Sequence, residues 1–212
     1  MKQRILCYGD SNTWGYDAAS DGRFPEEVRF TGQLQNRLGP EQFTIIEEGL
    51  CGRTTVFDDP LTEGLSGLFY LTPCLMSHSP LDLLIVMLGT NDCKARFSLT
   101  PRNIACGMRR LLRKAIQTDC WRSAPKVLLI APGPIEPGCE TSPAGTEMGI
   151  CAARSAGLAA EYEKIAAELG VDFMDAAAFV QMNKIDYMHL DAESHGRLAE
   201  HIAAYVQEAL RR

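Results

Sequence analysis

Five short apolar runs recur along the chain, at 4–8, 43–48, 83–88, 126–131 and 171–174. No other feature limits the fold as much. Runs this short read as strands, while the segments between them carry helical periodicity. One stripe is Ile104, Met108, Leu111, Leu112 and Ala115; a second is Leu158, Tyr162, Ile165, Ala166 and Leu169; a third is Leu198, Ile202, Tyr205 and Val206, with Asp191 placed to cap its helix. Strand and helix in alternation predict an α/β fold, with a parallel five-stranded sheet and crossover helices. A chain of 212 residues supplies one core of this kind, so a single domain over 1–212 is expected.

Two stretches break the rhythm, 17–30 and 132–149, the second with four prolines and four glycines. Long loops in a compact domain are usually functional. Both leave the carboxyl ends of predicted strands, the edge where open α/β sheets bind ligands. Phe24, Phe30 and Ile135 lie in these stretches. If exposed, they call for a covering partner, and a homo-oligomer is expected on that ground.

A formal charge of −6 argues against a general nucleic-acid binder, which needs clustered cations to neutralise phosphates. The one dense basic group, Arg109, Arg110, Arg113 and Lys114, reads as a solvated helix face. The eight cysteines are scattered and form no C-x-x-C pair. The opening apolar stretch is far shorter than a signal-peptide core, and no run reaches membrane-spanning length. These features predict a reduced, cytoplasmic protein with no membrane partner.

Polar residues gather where strands end. Gly9-Asp10-Ser11 follows the first strand, Gly49-Leu50-Cys51-Gly52 the second and Gly89-Thr90-Asn91-Asp92 the third. Parallel strands point one way, so these loops converge on one edge, and their glycines let backbone N–H groups approach a ligand. "DYMHLD" adds Asp186 and His189 in a loop at that same edge. A serine, a histidine, an aspartate and nearby amide donors are the parts of an acyl-transfer site. The serine hydroxyl needs a base, the imidazole needs a carboxylate to orient it, and the oxyanion needs donors. His195 and His201 fall inside the last helical pattern and His78 precedes the third strand, so His189 alone sits in a loop on the productive edge. Asp10 and Asp92 read as anchors of their loops, and Cys51 and Cys93 as packing residues beside the site.

The blocks "YGDSNTWG", "EEGLCGRTT", "MLGTNDCK" and "DYMHLD" together resemble the SGNH hydrolases, or GDSL-type esterases, and most closely their arylesterase and acyltransferase branch. The resemblance implies a three-layer α/β/α sandwich of flavodoxin-like order. It makes Ser11 the nucleophile, Asp186 and His189 its dyad, and Ser11, Gly52 and Asn91 the oxyanion hole. Asn12 stands where the eponymous motif has leucine, and Asn12 and Trp14 are expected at the substrate pocket. The implied activity is a serine esterase for short, acetyl-like esters, working through an acyl-enzyme that water or another alcohol accepts, with no metal or organic cofactor required. A carbohydrate O-acetylesterase is the alternative within this chemistry. A module that cradles phosphate on residues 11–13 is the alternative outside it.

Overall fold

Along the first strand, Leu6 and Tyr8 turn to one side and Ile5 and Cys7 to the other, all of them buried. A strand that is apolar on both faces must be covered on both. The computed structural model, which describes residues 2–210, shows how. Strands β1 (Gln3–Gly9), β4 (Phe43–Gly49), β5 (Leu83–Met87), β6 (Val127–Ala131) and β7 (Asp172–Asp175) form one parallel sheet in the order β4-β1-β5-β6-β7. The numbers β2 (Tyr16–Asp17) and β3 (Gly22–Arg23) belong to a small antiparallel ribbon outside it. Helices α3 (Gly67–Ser77), α4 (Pro101–Gln117) and α7 (Leu158–Leu169) cover the Leu6 face. Helices α2 (Phe30–Leu38) and α8 (Ala192–Ala209) cover the Ile5 face. The result is the expected α/β/α sandwich in flavodoxin-like order, its strands within a residue or two of the predicted runs.

This order places a topological switch between β1 and β5, whose following connections leave toward opposite faces. A crevice opens at the strand carboxyl ends of such a point. Gly9 pairs with Gly49 on one side and Met87 on the other, so β1, β4 and β5 end level and deliver their loops together.

Both long loops differ from expectation. Residues 17–30 hold the ribbon and the first residue of α2, and 132–149 hold a 3₁₀ turn at Pro137–Thr141 and the one-turn helix α5 (Gly145–Met148), which precedes another short helix, α6 (Ala152–Ala156). Phe30 and Ile135 are buried in the chain's own core and Phe24 packs its ring on His195, so these three give no ground for a covering subunit. The exposed apolar residues lie elsewhere: on α3, Phe69 is 82% and Met76 59% accessible. In the basic group on α4, Arg109 and Arg113 pair with Glu168 of α7 on the solvated face, as expected. No helix among the described residues is long and apolar enough to cross a membrane.

Candidate active site

Ser11 opens a one-turn helix, α1 (Ser11–Trp14), directly after β1. Asp10 accepts from the Asn12 amide at 3.0 Å, and Gly15, with φ of 88°, closes the turn on the Ser11 carbonyl. The turn packs so tightly on the strand that a Cβ at Gly9 would lie 2.0 Å from Thr13 Oγ1. Asp10 is buried, and burial raises its carboxyl to about 6 against the opposing pull of the Asn12 amide, His189 and Arg53. That carboxyl also takes up the Asn12 N–H and sets a negative side chain at the turn a phosphate cradle would use, which counts against that alternative.

Ser11 Oγ lies 2.8 Å from His189 Nε2, and His189 Nδ1 lies 2.7 Å from Asp186 Oδ2. With the imidazole neutral, the serine hydroxyl donates to Nε2 and Nδ1–H donates to the carboxylate. The remaining oxygen of Asp186 accepts from the Met188 amide at 3.0 Å, the His189 amide at 3.1 Å and Asn183 Nδ2 at 2.8 Å. Tyr187, at φ of 62°, turns the backbone so that both amides face that oxygen. Burial pushes the Asp186 carboxyl up, but the His189 hydrogen bond and charge, with the two amides, outweigh it and hold the group at about 2. At neutral pH it is therefore anionic. Tyr16 packs its ring on the imidazole, with centroids 4.5 Å apart.

A cavity of about 520 Å³ opens on this chain of groups, lined by Ser11 and His189 together with Gly52 and Asn91. Gly52 takes φ of 85°, a left-handed backbone that other residues adopt only under strain. Asn91 donates one amide hydrogen to the Arg53 carbonyl at 3.2 Å, which leaves its second hydrogen for the cavity. Asp92, next to Asn91, accepts from the Thr55 amide at 3.0 Å, locking the Asn91 turn to the Gly52 loop. Burial raises the Asp92 carboxyl to about 7 despite its bonds to Thr55. Both aspartates are therefore loop anchors, as expected.

Asn12 and Trp14 do not line the cavity. Asn12 is a strut: its Nδ2 donates to the Met188 carbonyl at 3.3 Å and its Oδ1 accepts from the Leu190 amide at 2.9 Å, so it ties the Ser11 turn to the His189 loop. The polar side chain at position 12 thus holds the Ser11 turn against the 188–190 backbone rather than lining the cavity. Trp14 lies outside, with the Arg23 guanidinium 5.1 Å over its ring. Cys51 departs from expectation too, being exposed and lining the cavity, whereas Cys93 is buried in the core. Tyr16, Lys94, Glu147 and Asn183 carry no sequence signal that separates them from ordinary loop residues. Asn183 in particular would read as simple turn chemistry. Glu48, Cys74 and His78 bring potential ligand atoms within 4.8 Å of one another, away from the cavity, where His78 Nε2 and Glu48 Oε1, 2.7 Å apart, join the end of α3 to β4.

A sequence comparison with curated proteins gives no match. Among solved structures, the carbohydrate acetylesterase Est24 from Sinorhizobium meliloti superposes with a TM-score of 0.90 at 39% identity, over 98% of this chain and 100% of that one. The aryl esterase of M. smegmatis superposes with a TM-score of 0.90 at 38% identity, over 97% of this chain and 99% of that one. A lipase/acylhydrolase from Enterococcus faecalis, 16% identical over 98% of this chain and 96% of its own, shares the fold with a TM-score of 0.71. Residues 7–197 match the model of the GDSL-like lipase/acylhydrolase family, and the chain belongs to that family.

Proposed function

We propose that this chain is a single-domain serine esterase acting on short-chain esters, with Ser11 as nucleophile, His189 as base and acid, and Asp186 as its orienting carboxylate. The observation that carries this reading is the unbroken hydrogen-bonded chain Ser11–His189–Asp186 opening on a cavity beside Gly52 and Asn91. Ser11 Oγ bonds to the ester carbonyl carbon while its proton passes to His189 Nε2. The carbonyl oxygen takes the negative charge against the N–H groups of Ser11 and Gly52 and the Asn91 amide. As the tetrahedral species collapses, the bond to the alcohol breaks and His189 protonates the departing oxygen. Water then gives a proton to His189 as its oxygen bonds to the acyl carbon; the bond from that carbon to Ser11 Oγ breaks, His189 returns the proton to Oγ, and the acid leaves. An alcohol in place of water yields a new ester, so acyl transfer uses the same groups. No step draws on a metal or organic cofactor.

Leu65, Ala144, Pro143 and Met148 wall the cavity and favour a small acyl group such as acetyl. The second reading, a carbohydrate O-acetylesterase, is favoured by the charged groups of Lys94 and Glu147 on the same wall. The eight cysteines are all unpaired, which supports a reducing, cytoplasmic setting. The exposed Phe69 and Met76 of α3 support a homo-oligomer built on that helix, which light scattering of wild type against Phe69→Ser checks. The functional reading is tested by a screen of nitrophenyl and alkyl esters from acetyl to octanoyl with Ser11→Ala as control. Turnover that falls with acyl length and vanishes in the variant is expected; turnover by Ser11→Ala near the wild-type rate would overturn it.

A further inference from the structure

Glu48 of β4 is paired in register with Tyr8 of β1, so its side chain leaves the sheet on the face that α3 covers. On α3, Tyr70 and Cys74 are four residues apart and His78 follows four later at the helix's end, which sets all three on one side of it. That side meets Glu48. His78 Nε2 lies 2.7 Å from Glu48 Oε1, and one ligand atom from each of Glu48, Cys74 and His78 falls within 4.8 Å of the other two. The Tyr70 hydroxyl stands beside both the carboxylate and the thiol. Cys74 is buried, while the side chains of His78 and Glu48 are 30% and 17% accessible, so the group is closed at its back and open at its front.

The donor types narrow what could enter. Thiolate, imidazole and carboxylate are the three ligand types that zinc takes from proteins, whereas magnesium and calcium take oxygen alone. Carboxylate and thiolate together carry two negative charges, which balance one dication once the thiol has given its proton to solvent. In a tetrahedron with bonds of about 2.0–2.3 Å, neighbouring ligand atoms lie about 3.3–3.7 Å apart. The hydrogen-bonded pair would open from 2.7 Å and the widest separation close from at most 4.8 Å, changes of about 1 Å that side-chain torsions supply. Three protein donors leave one corner, beside the Tyr70 hydroxyl, for water. Arg53 lies next to this group, its guanidinium 5.5 Å from the Tyr70 ring centroid, and donates to the Glu48 and Gly9 carbonyls. A cation bound here therefore sits directly behind the loop that carries Gly52.

We propose that Glu48, Cys74 and His78 form a zinc site, separate from the cavity at Ser11, that fastens α3 to the end of β4. The test takes the full chain, stripped with a chelator, and titrates it with zinc, cobalt, magnesium or calcium. Zinc should bind at one per chain and raise Tm. Cobalt should give the near-ultraviolet charge-transfer band of a metal thiolate, and magnesium and calcium should leave Tm unchanged. His78→Gln, on a side chain partly open to solvent, should keep the fold and weaken zinc about hundredfold or more. Cys74→Ala should weaken it as much and abolish the cobalt band, while Cys106→Ser, at an exposed cysteine outside the cluster, should bind zinc as wild type does. No saturable zinc binding at micromolar protein, or wild-type zinc affinity in His78→Gln or Cys74→Ala, would overturn the site.

Discussion

His189 and His195 lie six residues apart on either side of the start of α8, and both are buried, yet their surroundings differ in every respect that matters for chemistry. His189 bonds to a hydroxyl on one nitrogen and a carboxylate on the other, and it opens on a cavity. His195 accepts from the Phe30 amide on Nδ1 at 3.2 Å, lies between the rings of Phe24 and Phe30, and has no partner on Nε2 among the described residues. Burial, helped by His189 and Arg29 and opposed by the Asp191 charge, lowers His195 to about 4, so it is neutral at neutral pH. Burial alone therefore does not fit a histidine for the base proposed here. Partners on both nitrogens, and an opening onto a cavity, are what set His189 apart.

The largest effect that sharpens this contrast is His189→Gln, which should cost about 10⁴–10⁶ in kcat on phenyl acetate, as loss of a triad member does. His195→Gln should leave kcat within severalfold of wild type but lower stability by about 1–3 kcal/mol, through a buried amide left without its acceptor. Urea unfolding alongside the kinetics separates the two, and equal kinetic losses would break the comparison. Asp186→Asn should cost about 10⁴ in kcat, because the amide cannot hold the imidazole's tautomer or stabilise its charge.

Asn91→Ala comes next, with about 10²–10³ lost from kcat and little change in KM, since the oxyanion exists only near the transition state. A change in KM alone would make Asn91 a substrate-binding residue instead.

The smallest effect concerns pH and stability. The unfolded chain protonates His195 near pH 6.5, whereas the folded chain resists until about pH 4. This histidine's contribution is thus fully present above pH 6.5 and lost as pH falls, by about 3 kcal/mol at the foot of the window. Asp186, depressed to about 2, contributes above about pH 4 and loses its contribution only below that, so the two windows separate. Asp10 and Asp92, raised to about 6 and about 7, act in the opposite sense across this range, so the test is a difference: in urea titrations at pH 7 and 4.5, the stability of His195→Leu relative to wild type should rise as pH falls, by the share of the histidine's contribution lost over that range. The same pH dependence in both proteins would assign none of it to His195.

Much of this was legible in the sequence because it rests on periodicity and on strand ends. The five runs carried the sheet, and Ser11, Gly52, Asn91, Asp186 and His189 stood in four blocks that a parallel sheet brings to one edge. What stayed hidden depends on side-chain direction. Asn12 follows Ser11 in sequence, yet its amide turns to the Met188–Leu190 backbone rather than to the cavity. Phe30 and Ile135 stood in stretches read as loops, and only the packing of α2 and the path of the 132–149 segment bury them. Lys94 and Glu147 are 53 positions apart, and no local pattern pairs them.

The central claim is that Ser11 is made nucleophilic by His189. Intact-mass measurement after treatment with a serine-directed phosphonate tests it most directly. Wild type should gain one adduct per chain, mapped to Ser11; Ser11→Ala should gain none, and His189→Gln should label far more slowly while His195→Gln labels at the wild-type rate. Labelling of Ser11→Ala, or of His189→Gln as fast as wild type, would contradict the relay.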